Sequence, residues 1–300
     1  MQYGLLWLAV SGGVLKTIFH SYVSRKYVKT ILDAHLFTAA LFALMAVIVA
    51  PVLANRLTAP SLYTVMLSVL YGAISALFQI LYAREISTGP ASIAVLINAF
   101  SNVIPILVGI IFWNEDLSVE KGAGILLLFL SLYMLANPRK SSAVHMKWFL
   151  MCLTTFAIAG MVSIIQKVHQ MGPHRDDLPA FLVISFIVSF AVSAAMVLHG
   201  RFVRGERPTL RITRGCAIPT VLCAVSLSVY QVFTLHLSGV MDSSVLYPIL
   251  SGGIMVFSVL FTALLFRDPV TRMQRQGMVT GAISVLLISR VFSAVVRMIG

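Results

Sequence analysis

Asp33–Ala54 reads DAHLFTAALFALMAVIVAPVLA, and the only formally charged residue in it is the first. Coiled as a helix, an apolar run of about twenty residues matches the hydrocarbon thickness of a bilayer. Such runs recur over Tyr3–Val23, Asp33–Ala54, Ser61–Ala83, Thr88–Trp113, Leu117–Ala136, Lys147–Val168, Pro179–Gly200, Gly215–Leu237, Met241–Phe266 and Gln274–Ser289. None alternates with a period of two, so helices rather than a barrel must close the backbone hydrogen bonds. The expectation is an all-α integral membrane protein with ten transmembrane helices.

Composition points the same way. Of 300 residues, 59% are hydrophobic and 11% charged, too little charge to coat a water-facing surface. The net charge of +12 raises the question of nucleic acid. The basic residues, however, punctuate the apolar runs as membrane-facing loops do, and no aromatic-interleaved basic domain exists. The expected partners are therefore the lipid bilayer and a small-molecule substrate, with no nucleic acid, for a monomer or homodimer. Cys152, Cys216 and Cys223 lack CxxC spacing and read as inert core residues. Met1–Val10 has no positive leader region, so no cleavable signal is expected, and the locale is the cell (inner or plasma) membrane.

The chain repeats itself weakly. Trp7 aligns with Trp148, Asp33 and Phe37 with Asp177 and Phe181, Phe78-Gln79 with Tyr230-Gln231, and Gly124 with Gly277. The offset only rises along the chain, as insertions into the second copy would make it do. The copies divide at residues 1–140 and 141–300. Five crossings per copy, an odd number, invert the second relative to the first, giving two inverted five-helix repeats. That is a recurring plan of transporters, with the substrate bound between halves.

Loops after odd-numbered helices hold Arg25, Lys26, Lys29, Arg84, Arg139, Lys140, Lys147, Arg201, Arg204, Arg207, Arg211, Arg214, Arg267, Arg272 and Arg275. The opposite side holds only Arg56, Lys121, Lys167, Arg175, Arg290 and Arg297. The positive-inside bias thus puts both termini outside the cytoplasm.

After the fourth span the chain reads Asn114-Glu115-Asp116-Leu117-Ser118, with Gly124 beyond; after the ninth it reads Arg267-Asp268-Pro269-Val270-Thr271, with Gly277 beyond. Tyr82-Ala83, Gly89-Pro90-Ala91-Ser92 and Pro105 precede the first of these. This resembles the twice-repeated signature of EamA-domain proteins in the drug/metabolite transporter superfamily, over nearly the whole chain. It departs from that pattern at Asp268, where Glu is usual, at Ser258, in place of a proline, and in lacking an arginine early in the second helix. The resemblance implies a ten-helix bundle exporting metabolites, often amino acids, by alternating access. It also implies cytoplasmic termini, against the charge distribution.

Candidate site residues follow from the cost of burying polar groups in an apolar span. Asn98 and Asn102 share a face of the fourth span, and Tyr247 and Ser251 answer from the ninth; small polar residues also mediate plain helix packing. Gln79 and Gln231 match through the repeat, with Tyr82 and Tyr230 beside them, and both readings, substrate contact and interhelical bonding, stay open. Lys16 and His20 form an ionisable pair inside the first span: a counter-charge for an anionic cargo, or a snorkelling lysine. Pro105, Pro248 and Gly252 interrupt their helices, as gate hinges or static bends.

No Asp or Glu lies deep in a span, since Glu85, Asp33 and Asp242 stand at ends, which favours neutral, zwitterionic or anionic cargo. Glu115 and Asp268 read as helix caps. There is no GxSxG, HExxH, Walker A or GxGxxG run, so no enzyme is expected. No catalytic residue, metal or cofactor is assigned; His169, His174, Asp176 and Asp177 lack ligand spacing. Two alternatives remain: a transporter of phosphorylated or nucleotide-linked anions, and a membrane-embedded lipid-handling enzyme.

Overall fold

A computed structural model of the protein describes residues 2–57, 59–114, 118–136, 143–211, 213–241 and 271–288, with scattered positions between 243 and 265. Ten helices carry residue ranges: α1 (Gln2–Tyr27), α2 (Ile31–Leu53), α3 (Leu62–Thr88), α4 (Ala91–Ala99), α5 (Val103–Phe112), α6 (Val119–Ala136), α7 (Ala143–Met171), α8 (Leu178–Phe202), α9 (Arg214–Ser238) and α10 (Arg272–Ile288). Among the described residues there is no strand, and those between 243 and 265 are helical. Among the described residues six stretches are long and apolar enough to cross a membrane: α2, α3, the α4–α5 run, α7, α8 and α9. The chain is an all-helical, multi-pass membrane protein.

Its polarity is turned inside out. Trp7, Val47, Val52, Leu62, Phe112, Leu126 and Phe202 lie exposed, while Gln79, Glu85, Lys121, Gln166, Gln231 and His169 are buried. Hydrocarbon asks for apolar groups on the outer surface and for polar groups paired within.

Local chemistry sets the helix ends. Thr30 caps α2 by accepting from Asp33 N, and the Asp33 carboxylate accepts from Thr30 N in return. Ser61 caps α3 through Thr64 N. At the far end of α3 the Gly89-Pro90 pair stops the helix, because proline disfavours helical backbone before it. Thr88 therefore closes α3 instead of starting the fourth span, as the hydropathy had it. Nor is that span one helix: a tight 3-10 turn, Phe100–Asn102, separates α4 from α5. Pro105 lies just beyond and denies the carbonyl one turn back its hydrogen bond. Asn114, past the end of α5, has φ of 53°, a left-handed conformation that asparagine tolerates.

Small residues bring the helices together. Ser185 and Ser189 on α8 donate to Ser68 O (3.3 Å) and Gly72 O (2.7 Å) on α3. Gly72 is required there, since a Cβ would stand 2.6 Å from Ser185 O. On α6 and α10 the bonds are reciprocal: Ser131 Oγ donates to Gly277 O and Ser284 Oγ to Gly124 O, both at 2.7 Å.

Two aspartates tie loops across the molecule. Asp33 accepts from Thr209 N, Thr209 Oγ1 and Leu210 N, holding the α8–α9 loop at 2.6–2.8 Å. Asp177 accepts from Ser61 N (3.0 Å) and Thr64 Oγ1 (2.8 Å), holding the start of α3. The α1–α2 turn also meets the end of α3, where Arg84 donates to Lys29 O and Arg25 to Ile86 O and Gly89 O. The α1–α2 turn, the end of α3 and the α8–α9 loop thus gather at one end of the bundle, and Asp177 marks the other.

Candidate functional site

A cavity of about 100 Å³ lies among α1, α3, α4, α7 and α9. Its wall comes from α1 (Lys16, Thr17), α3 (Ser75, Phe78, Gln79, Tyr82), α4 and the turn after it (Val95, Asn98, Ala99, Ser101, Asn102). Later in the chain come α7 (Ala159, Val162, Ser163, Gln166), α9 (Leu227, Tyr230, Gln231) and Ile254. Of the residues expected from sequence, Lys16, Gln79, Tyr82, Asn98, Asn102, Tyr230 and Gln231 all face this one space.

Lys16 sits midway along α1, and its ammonium lies over three rings: Tyr82 at 5.5 Å, Tyr230 at 5.6 Å and Phe78 at 6.0 Å from the centroids. Phe78 and Tyr82 are one turn apart on α3 and stack at 5.5 Å, so two of the three faces are held rigidly. The lysine points into the cavity rather than snorkelling to the basic end. Its cation is stabilised by the ring quadrupoles. Among the described residues no carboxylate lines the cavity.

His20, one turn further along α1, is buried behind Tyr82 and does not line the cavity. Its ring packs at 4.8 Å on Tyr82 and 5.0 Å on Phe37, with Nδ1 3.2 Å from Ser24 Oγ.

The two glutamines that the sequence reading pairs, Gln79 and Gln231, differ in their bonding. Gln231 Oε1 accepts from Tyr71 OH (3.0 Å) and Gln166 Nε2 (2.8 Å), and Gln166 Nε2 also reaches Tyr71 OH (2.8 Å). That closed triad ties α3, α7 and α9 together. Gln79 Oε1, though buried, has no hydrogen-bond partner. Interhelical bonding thus accounts for the oxygen of Gln231 and leaves that of Gln79 uncommitted.

Asn98 is oriented from behind. Its Nδ2 donates to Ala94 O (3.0 Å) and to Glu85 Oε1, and its Oδ1 is without a partner. Both partners of the nitrogen are acceptors, so the amide oxygen is the atom left over. Glu85 lies one turn from the end of α3, as expected, yet it is fully buried. Trp148 covers that turn, donating through Nε1 to Glu85 O at 2.9 Å. A carboxyl that looked like a loop residue is an interior one.

Tyr247 is buried, and its hydroxyl donates to the carbonyl of the cavity residue Ser163 at 3.1 Å. It braces the wall without lining it. Pro105 is buried in α5 just past the 3-10 turn. Pro248, Ser251 and Gly252, with Glu115 and Asp268, lie outside the described residues. Sequence reasoning missed Gln166, Tyr71 and Phe78. Gln166 obeys the same rule that picked Gln79, two residues before the expected end of its span at Val168.

Among the described residues, no cluster of three His, Cys, Asp or Glu could hold a metal. His169 and Asp177 are instead joined through Thr64, whose hydroxyl is 3.3 Å from His169 Nε2.

No protein-family model matches the chain, and neither does any curated protein. A protein known from its crystal structure is similar in fold, with a TM-score of 0.64 at 13% identity over 96% of this chain and 99% of its own. At that identity the likeness establishes the fold alone.

Proposed function

We propose that the protein is a transporter of small organic metabolites, secondary active or facilitative. It works by alternating access of two inverted five-helix halves, 1–140 and 141–300, in the manner of EamA-type carriers. The observation that carries this reading is the polar cavity enclosed between the halves, in the middle of a bundle whose outer surface is apolar. A purely structural bundle has no need of two unpartnered amide oxygens, those of Gln79 and Asn98, and a lysine turned toward the same cavity.

Ten crossings fit the arrangement: α4 with α5 counts as one, and the helical residues between 243 and 265 supply the ninth. Twofold-related contacts support the inverted halves. The Ser131–Gly277 and Ser284–Gly124 bonds interchange when the two halves are swapped, as isologous contacts do. The Asp33 and Asp177 ties do likewise, at opposite ends of the bundle. We take the basic end as cytoplasmic, in a plasma or inner membrane.

The test is counterflow in proteoliposomes holding the purified protein, with labelled tracers from several metabolite classes. At least one class should exchange across the membrane faster than in empty vesicles. No exchange in any class, with a lipid product accumulating instead, would overturn the reading in favour of an enzyme.

A further inference from the structure

We infer that the cavity takes a small monocarboxylate bearing a hydrogen-bond donor, with Lys16 as the residue that pairs the carboxylate. The inference rests on the transport reading and names the cargo class for the same cavity.

Lys16 brings a cationic group to the cavity wall, and no described residue on that wall neutralises it. Of the lining residues it alone is charged. Within the ninth span, Met241–Phe266, the sole Asp, Glu, Lys or Arg is Asp242, at its start. An ammonium has three N–H donors, and ring faces satisfy them poorly compared with an oxygen anion. The rings of Phe78, Tyr82 and Tyr230 therefore hold the cation in the unloaded protein and leave its charge-assisted bonds to be made.

The remaining polarity selects further. Gln79 Oε1 and Asn98 Oδ1 are acceptors without partners on the same wall. They suit a hydroxyl or amino group near the cargo's carboxylate. Size and charge exclude the larger anions. A space of about 100 Å³ is well below the several hundred Å³ of ordinary ligand pockets. One lysine balances one negative charge, not the two of a phosphate ester. An organic cation is disfavoured because Lys16 already fills the aromatic box that would receive it.

The experiment uses the full-length protein, in detergent for thermal unfolding and in proteoliposomes for counterflow. The monocarboxylate probes are L-lactate, glycolate and L-alanine. Controls are propane-1,2-diol, which replaces the lactate carboxylate with CH2OH, together with glycerol 3-phosphate and choline. Monocarboxylates should raise the Tm and exchange; the diol, phosphate ester and choline should not. Lys16→Gln should lower carboxylate counterflow at least tenfold, and Lys16→Arg should retain more of it. If Lys16→Gln does not fold, the comparison of lactate with its diol in the wild type still decides.

Transport of the diol, the phosphate ester or choline without the carboxylates would overturn the cargo class and leave transport standing. So would carboxylate exchange undiminished in a folded Lys16→Gln protein. Exchange of no probe by the wild type would overturn both.

Discussion

Ser131 and Ser284 each donate a 2.7 Å hydrogen bond to a glycine carbonyl on the other's helix, Gly277 and Gly124 respectively. Each serine lies seven positions beyond the glycine of its own helix, so the bonds bracket the α6–α10 contact from both ends. A hydroxyl bonded across helices in a membrane contributes about 1 kcal/mol. Ser131→Ala and Ser284→Ala should therefore destabilise by similar amounts of about that size, measured by SDS or thermal unfolding. A large loss from one and none from the other would make the two contacts inequivalent.

Glycines on packed faces should respond very differently from exposed ones. Gly72→Ala drives a methyl toward Ser185 O and must part α3 from α8, weakening the Ser185 and Ser189 bonds. A loss of about 1–3 kcal/mol is expected, the usual cost of overpacking. Gly4 has nothing within 4 Å of a built Cβ, so Gly4→Ala should leave the unfolding temperature unchanged or slightly raised.

The two glutamines should separate stability from transport. Gln231→Leu leaves Tyr71 and Gln166 without their shared acceptor and should cost about 1–3 kcal/mol. Gln79→Leu deletes an oxygen with no partner, so the protein should unfold at nearly the wild-type temperature while counterflow falls. Equal stability losses in the two variants would contradict the division of labour between them.

Glu85 and Asn98 should behave as a unit. Removing either strands the other's polar atoms in the interior, so Glu85→Leu and Asn98→Leu should each destabilise. The double variant should lose less than the two losses combined, with coupling of about 1 kcal/mol or more. Strict additivity would mean the contact carries no energy.

Asp33 should govern the loop before α9. Asp33→Asn cannot accept the three bonds from Thr209 and Leu210 as a carboxylate does. Trypsin should then cut at Arg204 or Arg211 sooner than in the wild type. An unchanged cleavage rate would show that the loop is held by something else.

Much of the site was legible because an amide or lysine in an apolar run is costly wherever it points. That rule found Lys16, Gln79, Asn98 and Asn102 without knowledge of their neighbours. It could not tell Gln79 from Gln231, since their difference lies in Tyr71 and Gln166, donors brought in from other helices. Glu85 escaped for a related reason. Gly89-Pro90 announces a turn, and only the arrival of Trp148, sixty residues further on, turns that helix end into interior. Helix positions were legible from hydropathy; the 3-10 turn at Phe100–Asn102 was not, because every residue there is compatible with a straight helix.

The ties made by Asp33 and Asp177 bear on how the chain is made. While the ribosome is still within the first half, the loop after α2 has no partner, because Asp177 does not yet exist. Asp33 likewise waits for Thr209. The first part of the chain therefore enters the bilayer with both ends unfastened. Synthesis of Asp177 fastens the loop ahead of α3, and the later arrival of Thr209 and Leu210 fastens the other end. Assembly is thus ordered in time by the position of these residues along the message, and a nascent chain halted before residue 177 should remain open to quality-control proteases.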